Sequence, residues 1–163
     1  MKYQLLIFII SLSILSCLTG KIGTQSLEYT LPVRVEDDWK KAFEKLGTPD
    51  RSGSNYFSFY RYGIIVYTDA NQQKITSVIA TWFEQGVHFT GKLYGIGLGD
   101  TLPKCRRLWG QEQSKEPKAE DYYRVVWKLG KRTLDLEFWS QGGNDADLGG
   151  VYEADTVKRI QIT

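Results

Sequence analysis

Asp135 and Glu137 are the first residues to weigh for chemistry. They alternate with Leu134, Leu136 and Phe138, which puts both carboxylates on one face of a strand. Paired carboxylates are the acid–base apparatus of glycosidases. The same alternation describes the wet face of a half-buried strand, and that simpler reading explains them better. The single histidine, His88, precedes Phe89-Thr90-Gly91 at a strand entrance, where a solvated or capping imidazole fits better than a general base. One histidine and two cysteines give no two-histidine metal site and no Cys/His zinc cluster. There is no G-x-S-x-G elbow and no P-loop. Gly95-Ile96-Gly97-Leu98-Gly99 lacks the spacing of a nucleotide fingerprint, and its glycines suit close backbone packing and a turn before a helix. In the loop Gly142–Gly150, Asn144, Asp145 and Asp147 offer oxygens of the kind calcium takes, but not at the spacing of an EF-hand. Acidic side chains on a flexible loop also suit insertion into a basic pocket of a partner. The expectation is a protein without catalytic residues, bound metal or cofactor.

The clearest chemical assignment lies at the start of the chain. Met1-Lys2 is a short positive region, and Leu5 to Leu15 is apolar except for Ser11 and Ser13. The run is too short for a membrane span and reads as a signal peptide over residues 1–16. Ile14-Leu15-Ser16-Cys17 resembles the bacterial lipobox, with an aliphatic residue at −3, a small residue at −1 and the cysteine at +1. By that resemblance Cys17 is acylated and anchors the mature chain to a membrane, each buried methylene adding about 0.8 kcal/mol. Leu18 at +2, rather than Asp, is compatible with an outer-membrane destination facing the periplasm. Ordinary secretion is the alternative; Cys17 would then be free to pair with Cys105. Under lipidation Cys105 has no partner and acts as a small hydrophobe.

Composition bounds the partners. Apolar residues make up 42% of the 163, with 5 Trp, 10 Tyr and 7 Phe, so a packed core is within reach. Taking Lys2 from the 21 basic residues leaves 20 against 19 acidic ones, a net charge of +1. That balance argues against nucleic acid, which calls for a basic surface.

The elements that would position these residues follow a pattern repeated at an offset of 63. Thr30–Trp39 matches Leu93–Leu102: Val33 with Ile96, Val35 with Leu98, Asp37 with Asp100. Each block alternates like a strand and ends in a capping residue. In the first helix Trp39, Ala42, Phe43 and Leu46 form one apolar stripe, Glu36-Asp37-Asp38 load its first turn, and Gly47 ends it. In the second the stripe is Leu102, Cys105 and Trp109, and Gly110 ends it. Strands follow at Tyr56–Tyr62, Ile64–Thr68 and Lys74–Phe83, then at Tyr122–Leu129, Thr133–Ser140 and Thr156–Ile162. The expected fold is α+β: after a tether at 17–27, two tandem helix-plus-antiparallel-meander repeats, 28–88 and 89–163, share one sheet with the helices packed on one face.

Aromatics carry the remaining signal. Alternation puts Tyr56, Tyr60 and Tyr62 on one strand face, and Phe57 and Phe59 on the other, which should be core. Tyr123 and Trp127 alternate against Tyr122 and Arg124, and Trp82 ends a strand. A sheet face presenting Tyr and Trp has the composition of a protein-binding hot spot. Leu46-Gly47-Thr48-Pro49 followed by an aromatic meander resembles the SmpA/OmlA (BamE-type) outer-membrane lipoproteins. Doubled in tandem, the pattern is similar to the β-lactamase-inhibitor-protein family. The second copy departs from it, reading Trp109-Gly110-Gln111 without the proline. The resemblance implies binding without catalysis. The expected function is capture of a protein partner, as an inhibitor or immunity protein against a secreted enzyme or toxin, with an envelope scaffold as the alternative and a cryptic hydrolase third. The expected contact residues are Tyr56, Tyr60, Tyr62, Trp82, Tyr123, Trp127, Asp145 and Asp147.

Overall fold

The computed structural model describes residues 27–83, 86–117, 121–145 and 150–163. The signal peptide, Cys17, the tether up to residue 26 and Asp147 lie outside the described residues. In chain order the elements are α1 (Trp39–Leu46), β1 (Arg51–Ser52), β2 (Tyr56–Phe59), a 3-10 turn (Tyr60–Tyr62), β3 (Ile64–Thr68), β4 (Ile75–Ala80), α2 (Leu102–Trp109), β5 (Ser114–Pro117), β6 (Tyr122–Leu129), β7 (Arg132–Trp139), β8 (Gly143–Asp145), β9 (Gly150–Tyr152) and β10 (Val157–Ile162).

Eight strands form one antiparallel sheet in the order β1-β2-β3-β4-β10-β7-β6-β5, and β8 and β9 pair separately. This corrects the expected α+β fold of two helix-plus-meander repeats. The two helices have eight residues each, too short to make a layer over an eight-stranded sheet. The strands expected to open each repeat are not strands either. Residues 27–35 are irregular, although Leu31, Val33 and Val35 alternate into the core. Residues 93–98 hold only an isolated bridge between Leu93 and Ile96. These two segments lean on each other instead. Thr30 N–H donates to the Lys92 carbonyl (2.9 Å), Lys92 N–H to the Thr30 hydroxyl (2.8 Å), and the Tyr29 and Tyr94 rings meet edge to face at 5.3 Å. The 63-residue offset therefore does not mark matched strands; of the pairs Val33–Ile96, Val35–Leu98 and Asp37–Asp100, only the first is buried on both sides. One hydrophobic core runs through both segments, from Leu31, Trp39 and Phe59 to Trp127, Phe138 and Ile162.

Local chemistry accounts for the helices. The Asp38 carboxylate caps α1 by accepting from Lys41 N–H at 3.0 Å, and Trp39, Ala42 and Leu46 turn to the core. Asp38 is thus the cap, and the first turn proper carries no acid. Phe43 stays half out, its ring edge to face with Trp39. At α2 the Asp100 carboxylate accepts from Gly97 N–H (2.9 Å) and pairs with Lys104 (2.7 Å). Cys105 is fully buried, which pushes its thiol up to about 12. Each helix start is tied to the chain just before a central strand: Trp39 N–H donates to the Gln73 carbonyl and Leu102 N–H to the Asp155 carbonyl.

Candidate binding face

Strand alternation sorts the aromatics by side. In β6, Tyr123, Val125 and Trp127 face the core, together with Leu134, Leu136 and Phe138 of β7. Trp127 is 1% exposed; its indole N–H donates to the Gly110 carbonyl at 3.1 Å, and its ring lies edge to face with Trp109. Tyr123 stacks on Phe138, and its hydroxyl donates to Asp155 at 2.6 Å. Burial and that bond push the Tyr123 phenol up. Neither ring is available to a partner in this fold. Helix α2 and the sheet enclose the face on which sequence alternation had placed them.

The 3-10 turn rearranges a second group. Tyr56 and Phe57 alternate as expected, with Phe57 and Phe59 buried, but the strand stops at Phe59. Tyr60 and Tyr62 therefore leave the face of Tyr56. Tyr60 N–H donates to Asp50 (2.7 Å) and its ring packs on Phe83; Tyr62 packs against the core beneath the Arg61 guanidinium. Trp82 lies beyond β4 and stacks on His88. Asp145 is described as a backbone position in β8 only.

The opposite side of the sheet is half-exposed at Ile65, Tyr67, Gln161, Asp135 and Val126, whereas Ser58, Ser77 and Ile79 on the same side are buried. Along it runs the row Ser58–Ile65–Ile79–Gln161–Asp135–Val126–Ser114, each residue opposite the next in register. A parallel row, Glu116–Arg124–Glu137–Arg159, alternates in charge. Arg124 grips Asp135 from both Nε (2.7 and 2.8 Å) and a terminal nitrogen. Arg159 holds Glu137 at 2.8 Å and donates to the Gln161 carbonyl oxygen at 3.0 Å, and Gln161 donates to the Ser77 hydroxyl at 3.2 Å. Asp135 and Glu137 are thus each neutralised by a guanidinium, an arrangement for fixed cross-strand pairing rather than proton transfer. At one end of the face Tyr56, 39% exposed, meets Tyr67 with ring centroids 6.1 Å apart. At the other, the Lys158 ammonium lies over both Tyr122 and Trp139, at 4.4 and 4.1 Å.

No protein-family model, curated protein or solved structure matches the chain. The resemblance to the BamE-type and β-lactamase-inhibitor-protein families thus rests on its motif and pattern alone. Among the described residues no helix is long and apolar enough to cross a membrane. The expected contact set left out Tyr67, Tyr122 and Arg124. Their alternation with the buried Val66, Tyr123 and Val125 was readable, but β6 is aromatic on both sides, so its outer face could not be told from its inner one by composition.

Proposed function

We propose that this protein is a binding module of the cell envelope, tethered through an acylated Cys17, that captures a protein partner on the sheet face turned away from the core and does no catalysis. The observation that carries the reading is the composition of that outer face: tyrosines at one end and a fixed ladder of alternating charge across four strands. Tyrosine gives contact area with little loss of side-chain entropy and keeps its hydroxyl wet. Charges already locked to one another sacrifice no further freedom on docking and set the register of a complementary surface. Neutralising an enzyme or toxin is the use that a small anchored domain of this kind suits best.

The test is capture from envelope extract with the full chain as bait, followed by affinity measurement on the captured protein. Replacing Tyr56 and Tyr67 by Ala together should weaken it by about 2 kcal/mol or more, the range of interface hot spots. Arg124→Glu should weaken it further and change its salt dependence. Trp127→Ala serves as the contrast, because it should lower stability while native molecules keep their affinity. Unchanged affinity in both face variants would remove the reading.

A further inference from the structure

At the Trp139 end of that outer face, where β4 ends and β10 begins, a cleft of about 470 Å³ opens, lined by Trp82, His88, Phe89, Trp139, Glu153 and Thr156 among others. Its size and aromatic lining are those of a small-molecule site. The polar groups narrow the ligand. The Trp82 indole N–H is buried and, among the described residues, has no hydrogen-bond partner, an uncommon state for a donor. The His88 ring lies parallel to that indole, centroids 4.2 Å apart at 25°. Its Nδ1 sits 2.8 Å from the Gly86 carbonyl, which can only accept, so Nδ1 carries a proton and Nε2 is the ring nitrogen left for a ligand. The Glu153 carboxylate, exposed at the rim, adds acceptors and a negative charge.

The site therefore presents an orphan donor beside His88 Nε2 and the Glu153 carboxylate, on an aromatic platform. An anion would satisfy the indole N–H but meet Glu153. A cation would suit Glu153 and the rings but leave the indole N–H unpaired. A purely apolar ring would leave every polar group unpaired. A hydroxyl both donates and accepts, and a saturated ring offers a flat C–H face to the aromatics. From this we infer that the cleft binds a neutral sugar ring, with Trp82 N–H donating to one ring substituent and His88 Nε2 and Glu153 accepting from neighbouring hydroxyls. The ligand is either a free oligosaccharide or a residue of a glycan polymer.

Calorimetric titration of the full chain with chitotriose and maltotriose tests this, beside trigalacturonate and trilysine as charged counterparts. Pelleting with insoluble chitin and starch provides the polymer arm. Saturable heat with a neutral trisaccharide assigns the free-sugar form, and pelleting without such heat assigns the polymer; either supports the site. Trp82→Phe keeps a ring and deletes the N–H, and should weaken binding about tenfold. If its melting temperature falls enough to compromise the fold, His88→Gln is read in its place, with the same expected direction. No neutral sugar bound in either form, charged trimers bound as tightly as neutral ones, or wild-type affinity in the folded variant read would each overturn the assignment.

Discussion

Gly47 and Gly110 end the two helices at nearly the same dihedrals, φ 76 with ψ −157 and φ 79 with ψ −159. That region is open essentially to glycine alone. At Gly110 an added Cβ would have no atom within 4 Å, so the penalty of a side chain there is purely conformational. Gly110→Ala should cost about 1–3 kcal/mol, read as a lower urea midpoint with an unchanged slope. Both terminators were legible in the sequence because glycine after an apolar stripe has one common meaning. Trp127 was not legible in the same way. A tryptophan on an alternating strand is equally at home in an interface and a core, and only the position of α2, with Trp109 against its ring, decides between them. The Phe59-to-Tyr62 turn was missed for a related reason: five aromatics among seven residues read as continuous strand, and nothing local marks where the backbone tightens before Gly63.

Among the described elements, an ion pair joins α2 to the segment just before the edge strand. Arg106 at its C-terminal end donates to Glu112, just before β5, through Nε at 2.9 Å and a second, shorter bond. The hydrogen bonds from Arg106 pull the Glu112 carboxyl from 4.5 down to about 2. The unfolded chain therefore binds a proton here at a pH where the native one does not. This contribution is complete above about pH 4.5 and disappears as the pH falls towards 2. Glu112→Gln should lower the melting temperature at pH 6 by a few degrees and leave it nearly unchanged at pH 2. An equal drop at both would show that the charge is irrelevant. The sequence showed the wet alternation of Asp135 and Glu137 but not their arginine partners. Cross-strand pairing depends on register, which turn geometry sets, and Arg124 and Arg159 lie eleven and twenty-two residues away from the acids they hold.

At the scale of the molecule, the joint is the antiparallel pairing of β4 with β10, where Ala80 faces Ile160 and Val78 faces Ile162. Ile160 is fully buried there, with Leu136 opposite it on the other flank. Ile160→Ala should cost about 2–5 kcal/mol. Because one core runs through both segments, hydrogen exchange should show protection falling together in β3 and β6. Loss confined to one side would mean two independent units. Both helices, both terminators and most strands stand close to where the pattern set them, yet they make one eight-stranded sheet and not two repeats. What periodicity could not supply was the absence of the opening strands: at 27–35 burial alternates without a ladder to pair with, and at 93–98 it does not alternate, Leu93, Ile96 and Gly97 being the buried positions. The sheet's outer margins have a consequence of their own. One is the two-residue β1, and the other is β5, Ser-Lys-Glu-Pro, whose Pro117 has no amide hydrogen and whose Lys115 and Glu116 are charged. Neither offers a neighbouring molecule a usable strand template, so a chain concentrated in two dimensions on a lipid surface would resist growing into fibrils by strand addition, leaving contact through the broad side of the sheet as the route to association.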